Sequence, residues 1–375
     1  MLLSIVCYNT VAGIDVRLRP CANALRCKAC QAQPQQFQTG FSIIPAMRRF
    51  LSIFVQFLLI AGIFGFLFWN AAATTDADGK NIFTVLCEQP KRWHFLTVAF
   101  GIQLFAVAIT FIRWRWLLQT LGLQCSRREA FRLGFLGLIL NLAPLGIVGG
   151  DAVKAVLIAQ KNPHFKPQAV ASVFIDRFIG LLVMFICGSL LICYTGFYAR
   201  PEVIAQTLTH CVFAFTAAGL LGTGIVFLPF FAKGHCERLI EKIPLCGTLG
   251  SKLVQALLLY RNHKRCLLIS SLITILVHLS FGVSLYWAAI ALFPSVPNLV
   301  DHIMLHNVTN LTSMIPLAAG PYELVLEQLY RLEGMNAGMG FIVSLMFRLI
   351  TIFVAAAGMI YYVAVKMDRQ SKLPP

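Results

Sequence analysis

Six stretches of this chain stay apolar for longer than a globular helix or strand requires: residues 51–69, 94–112, 171–194, 211–231, 266–293 and 340–365. Crossing the hydrocarbon of a bilayer takes about 20 helical residues, so each predicts a spanning helix. Two further apolar stretches, 131–159 and 301–331, are interrupted in the middle. The first reads Pro144-Leu145-Gly146-Ile147-Val148-Gly149-Gly150-Asp151, and the second Pro316-Leu317-Ala318-Ala319-Gly320-Pro321-Tyr322-Glu323. Proline removes a backbone donor and ends a helix, while glycine permits a tight reversal. Each interrupted stretch therefore predicts a helix, a break and a second helix.

The two interruptions echo each other. Pro144 to Pro316 is 172 residues, Asp151 to Glu323 is 172, and Arg177 to Arg348, each inside the apolar run that follows, is 171. Paired breakers beside ionisable residues in two halves of a membrane protein often mark a transport pathway. The expected fold is an all-α polytopic membrane protein with about six full spans and two re-entrant helical hairpins in an inverted repeat. If both interrupted stretches crossed completely, there would be eight membrane segments.

Charge separates these two topologies. With re-entrant hairpins, residues 1–50, 113–132, 151–167, 232–265 and 366–375 share one side and hold 24 basic residues against six acids. The opposite segments, 70–93, 196–209, 294–301 and 321–339, hold five basic residues and eight acids. Lys and Arg concentrate on the cytoplasmic side of membrane proteins, so both termini are expected in the cytoplasm, with the protein in the cytoplasmic (inner) membrane. Full crossing of both stretches would send the 232–265 segment, with seven Lys and Arg, to the wrong side. That segment alternates apolar and basic residues, as an interfacial amphipathic helix does.

Composition agrees with this class. Apolar residues make up 58% of the chain and charged residues 12%, against about 25% charged in a soluble domain. The net charge of +16 belongs to topology and not to nucleic acid, because no basic reading motif sits on a soluble module. The expected organisation is a disordered amino-terminal extension over 1–46, one integral membrane domain over 47–366 and a short cytoplasmic tail over 367–375. Gln31 to Gln38 is polar and Gln-rich, which suits a disordered tail. Cys27 and Cys30 have metal-like spacing, but no histidine precedes residue 47, and a structural zinc needs four ligands. Cys187, Cys193, Cys211 and Cys266 lie in or at the ends of spans, where a thiol acts as a small hydrophobe. No cofactor is implied.

Candidate chemistry collects at the breaks. Gly149 and Gly150 allow close backbone approach, and Asp151 and Lys154 begin a short helix. Asp151 either caps that helix or belongs to a polar site in which Lys154 and exposed amides meet a phosphate-bearing head group. A carboxylate in that turn repels phosphate, so Asp151 is expected to face a cationic group or a protein arginine. In the second break Gly320 supplies the turn, Pro321 suits a first helical position, and Glu323 matches Asp151. Glu327 and Arg331 have the spacing of a local helical ion pair, worth little if exposed. Arg177 and Arg348 each cost about 2.5–3.5 kcal/mol at a helix centre. Asp176 points about 100° away from Arg177 on a helix, so each needs a partner elsewhere: a structural lock, or a cluster that also receives a lipid phosphate. His302 and His306 are one turn apart but lack the carboxylate of a metalloprotease motif. His278 inside a span suits a helix–helix hydrogen bond.

The stretch from Pro144 to Lys154, followed by Asp176-Arg177, resembles the membrane region of the lysylphosphatidylglycerol synthases and its stand-alone relatives. Pro144, Gly149, Gly150, Asp151, Lys154, Asp176 and Arg177 fit the first half of the family pattern, and Pro316, Gly320, Glu323 and Arg348 the second. Leu317 and Ala318 stand where two glycines are expected. The resemblance covers roughly 47–366. It implies translocation of a phospholipid or glycolipid, with Gly149, Gly150, Asp151, Lys154, Asp176, Arg177, Gly320, Glu323 and Arg348 as the substrate-binding set. The soluble domain that performs aminoacyl transfer in the two-part synthases has no counterpart before Pro375, so a non-enzymatic transporter is expected. The alternative is a non-catalytic membrane subunit or scaffold that partners a lipid-modifying glycosyltransferase or aminoacyltransferase. An intramembrane enzyme acting through Asp176 and Glu323 has the least support, since no nucleophile set accompanies them.

Overall fold

Residues 43–75, 79–142, 147–227, 255–315, 317 and 319–370 are described in the computed structural model. Residues 1–42, the breakers Pro144, Gly146 and Pro316, most of the basic 232–265 segment and the last five residues lie outside them. The chain forms two units, Met1–Phe57 and Leu58–Pro375. The described part of the first is the opening of helix α1 (Ile43–Ala73). All that follows concerns the second.

That unit is built of helices, with one isolated bridge between Thr75 and Asn81 in a connection. After α1 come α2 (Ile82–Glu88), α3 (Trp93–Thr120), α4 (Arg127–Leu142), α5 (Ile147–Lys161), α6 (Lys166–Thr195), α7 (Val203–Phe227), α8 (Lys264–Leu292), α9 (Leu299–Thr309), α10 (Pro321–Leu332) and α11 (Met339–Gln370). Six of these helices, α1, α3, α6, α7, α8 and α11, are long and apolar enough to cross a membrane, and they coincide with the six apolar runs. The protein is an all-α polytopic membrane protein.

The interrupted stretches form the remaining membrane-length sequence. Helices α4 and α5 have 16 and 15 residues, and α9 and α10 have 11 and 12. At 1.5 Å per residue these are roughly 24, 22, 16 and 18 Å long, each shorter than the roughly 30 Å hydrocarbon layer. Each interrupted stretch is thus a pair of short helices, and α4 lies against α5. Local chemistry sets the ends. Glu129 N donates to Ser126 Oγ at 3.2 Å and Ser126 N to Glu129 Oε2 at 3.4 Å, a reciprocal cap on α4. Asn298 caps α9 through Asp301 N at 3.0 Å.

Helix α11 organises the unit. Its amino-terminal half takes α10: a Cβ on Gly340 would lie 2.7 Å from Glu327 Cα. Its carboxy-terminal half takes α4, where Phe135 and Tyr361 rings are 6.1 Å apart and Gly358 lies under the Phe135 ring. One helix of each short-helix pair therefore docks on α11, the two on opposite halves of it. Helices α3 and α8 run alongside each other and bury Ser284, which donates to Ala99 O at 2.9 Å. Small residues let backbones approach where apolar driving force between helices is absent.

Candidate functional site

Each short-helix pair is tied to the long helix that follows it by one acid and one arginine. Asp151, the fifth residue of α5, receives Arg177 Nε from α6 on Oδ2 and lies 3.0 Å from Lys154 Nζ through Oδ1. Glu323, the third residue of α10, receives Arg348 Nε from α11 on Oε1. The partners are 26 and 25 residues apart. The sequence echo is therefore an echo of contacts. In both links the acid is covered and the arginine partly open: side-chain exposure is 11% for Asp151 against 44% for Arg177, and 0% for Glu323 against 28% for Arg348.

The two acids are held differently. Glu323 Oε2 also accepts the Gly320 amide at 2.7 Å, so this carboxylate closes the start of α10. Gly320 has φ +103°, a conformation that side chains resist, and its missing Cβ would come within 3.0 Å of Ile63 Cδ1. Asp151 is not a cap. Helix α5 starts at Ile147, so Gly149, Gly150 and Asp151 are already helical and Asp151 lies beyond the first turn. Gly150 instead permits contact with α4: a Cβ there would lie 2.2 Å from Gly137 O, and its amide donates to Asn141 Oδ1 at 3.1 Å. That amide faces a side chain within the hairpin. The charge at this first link is two cations to one carboxylate, and Lys154 Nζ also sits 5.5 Å from the centroid of the Trp114 ring.

Asp176 belongs to a third group. Its Oδ1 receives Arg113 Nε at 3.1 Å and Nη2 at 2.9 Å, and Arg113 Nη1 donates to Thr274 Oγ1, joining α6, α3 and α8. Arg113 and Asp176 are 5% and 11% exposed along their side chains. The apolar run 94–112 ends just before this arginine, but α3 continues to Thr120. The i, i+3, i+4 spacing of Trp114, Leu117 and Leu118 past Arg113, all buried, is the signal that extends the helix.

Glu327 and Arg331 form the local ion pair their spacing suggests, but the carboxylate is buried and takes further donors. It is 2% exposed and accepts from Arg331 Nε at 2.7 Å, Gly338 N at 2.7 Å and Phe341 N at 3.0 Å. His302 does not pair with His306 as a ligand set, since its nitrogens face Asn298 O at 3.0 Å and Tyr330 Oη at 2.6 Å. The basic residues Arg261, Lys264 and Arg265 line an open cavity of about 610 Å³ at the start of α8.

No curated protein and no solved structure matches the chain. Residues 53–358 match the family model described as lysylphosphatidylglycerol synthase TM region. That match takes in both interrupted stretches, both acid–arginine links and all or most of each of the six long helices, and on it the chain belongs to the lysylphosphatidylglycerol synthase TM region family.

Proposed function

We propose that this protein moves an amphiphilic phospholipid or glycolipid across the cytoplasmic membrane, receiving the anionic part of its head group on Arg177 and Arg348. The observation that carries this reading is the pair of equivalent links, each with a buried acid and a partly open arginine. The acids hold the guanidinium groups in place at a depth where an unpaired arginine is costly. The extra cation at the Asp151 link, from Lys154, favours phosphate there. Gly320 and Glu323 set the second break, and Asp176 locks the helices that present Arg177.

In this reading the two short-helix pairs are re-entrant hairpins of an inverted repeat, entering from opposite faces. The docking of α4 and α10 on opposite halves of α11 supports it. Arg177 and Arg348 stand 11 and nine residues into α6 and α11, roughly 16 and 14 Å along the helix axes. If α6 starts at the cytoplasmic face and α11 at the other, both arginines reach the middle of the bilayer. The orientation is checked by thiol labelling. Cys87 in α2 is exposed and is placed outside, so a membrane-impermeant maleimide should label it in intact cells. Cys125, in the turn before α4, should resist even after permeabilisation, because burial, reinforced by Glu129, pushes its thiol up to about 12. Labelling of Cys87 only in opened cells would invert the topology.

Translocation itself is tested in proteoliposomes with fluorescent phosphatidylglycerol, phosphatidylethanolamine and a glycolipid. Removing both partners of the second link, Glu323→Ala with Arg348→Ala, avoids stranding a buried charge. Loss of a charge-assisted hydrogen bond to the head group is worth about 1.5–3 kcal/mol, a slowing of roughly ten- to a hundredfold. Unchanged movement by a folded double variant removes these residues from the mechanism.

A further inference from the structure

Between the two acid–arginine links the unit buries polar side chains that neither link uses. His278 on α8 and His306, Asn307 and Thr309 on α9 are 8%, 3%, 2% and 0% exposed. His278 Nε2 lies 3.0 Å from Gly180 O, so this nitrogen carries the proton and Nδ1 is left as an acceptor. His306 Nδ1 lies 3.1 Å from Tyr322 Oη, and Asn307 Nδ2 donates to Ile303 O at 2.8 Å. His278 Nδ1, His306 Nε2, Asn307 Oδ1 and Thr309 Oγ1 have no hydrogen-bond partner among the described residues.

Helix packing brings His278, His306 and Asn307 to one level. A Cβ on Gly282 would lie 2.6 Å from Ile303 Cα, and the Phe281 and His306 rings are 5.8 Å apart. Helices α8 and α9 are antiparallel neighbours here, so one turn inward on α8 is His278 and one turn inward on α9 is Asn307. Gly188 of α6 closes the third side, 3.9 Å from Asn307 Cβ by its missing Cβ. A buried polar atom without a partner is costly, and His278 Nδ1, His306 Nε2 and Asn307 Oδ1 together fit a site occupied by water, which takes 2–4 polar partners. The set is rich in acceptors and contains no carboxylate, which suits an added proton on an imidazole better than a metal ion.

Charged and titratable groups border the junction on its neighbouring helices. Thr274, one turn inward on α8, leads to Arg113 of α3 and Asp176 of α6. Tyr322 of α10 adjoins Glu323, which holds Arg348 of α11. His302 on α9 is occupied by Tyr330 and Asn298.

We propose that His278 and His306 form a hydrated proton-binding site that couples head-group translocation to proton movement. One proton from one side of the membrane adds to a free imidazole nitrogen, giving an imidazolium between the two links, and leaves to the other side when the imidazole is restored. The inference rests on the translocation reading, and its test separates the two. Proteoliposomes carrying fluorescent phosphatidylglycerol are given a gradient of about one pH unit, which for one proton per lipid biases the leaflet distribution up to about tenfold. The bias is expected to vanish with a protonophore and in His278→Gln with His306→Gln. Label that crosses without responding to the gradient overturns the coupling alone, as does a gradient response that survives in the double variant. Label that never crosses overturns the translocation reading and the coupling with it. The protonophore arm decides on the natural sequence if the variant does not fold.

Discussion

Glu327→Ala is expected to lower the stability of the protein by roughly 3–5 kcal/mol, the range seen when one partner of a buried charged network is removed. Total stabilities of single domains run to about 5–15 kcal/mol, so little folded protein should accumulate. The first amides of a helix have no partner inside it, and a negative charge is favoured there. Glu327 reaches from α10 to the start of α11 and takes the Gly338 and Phe341 amides together with Arg331 Nε. Alanine leaves the Gly338 and Phe341 amides unmet beside a position that is 2% exposed, while Arg331, 34% exposed, keeps Asn70 as a partner. Gln at this position keeps one acceptor oxygen and should lose less. The measurement is the thermal midpoint and the monodisperse yield in detergent; an Ala variant as stable as the natural sequence would show that α11 is anchored by other means.

The second large effect concerns Arg113 and Asp176. Asp176→Leu leaves a guanidinium 5% exposed with Thr274 as its remaining side-chain partner, and Arg113→Leu strands the carboxylate. Each single change is expected to cost about 3–5 kcal/mol, whereas replacing both with apolar residues of similar volume is often neutral. A double-mutant cycle over Arg113→Leu and Asp176→Leu should therefore show a coupling energy at or above about 3 kcal/mol, the upper end for contacting residues. It also separates roles. Recovery of stability and translocation together in the double variant assigns the pair to architecture; recovery of stability alone places Asp176 among the residues that serve transport.

Much of the architecture was legible because hydrocarbon thickness imposes a length. All six long runs became helices, but their ends did not follow from hydropathy. Helix α3 continues through Arg113 and Arg115 to Thr120, and α1 begins at Ile43, because a helix does not stop where apolar sequence does. The matched spacing of Asp151 with Glu323 and of Arg177 with Arg348 pointed to equivalent positions, and these residues pair within each half. Partners set by packing register were invisible: Asp176 meets an arginine 63 residues away, which in turn meets Thr274 161 residues away. Spacing found the Glu327–Arg331 pair but not the burial of Glu327, since the i, i+4 pattern reveals nothing about the start of α11 that folds over it. Asn141 had no signal at all, because its role depends on how closely Gly150 and Gly137 bring two short helices together.

Helix α7 stands apart from these networks. Half of the most apolar window of α11 is buried, against 11% of that of α7, whose contacts to α6 include the stacked Phe185 and Phe215 rings and a Ser189–Thr216 hydrogen bond of 2.8 Å. Its remaining surface is largely apolar and open among the described residues, as a lipid-facing helix requires. Exchanges among Leu, Ile, Val and Phe on that surface leave the fold indifferent, while shortening the helix by a turn would be felt as hydrophobic mismatch, at a fraction of a kcal/mol per Å. Along α7, length and oiliness are what a bilayer demands, and the individual apolar side chains on that surface are interchangeable.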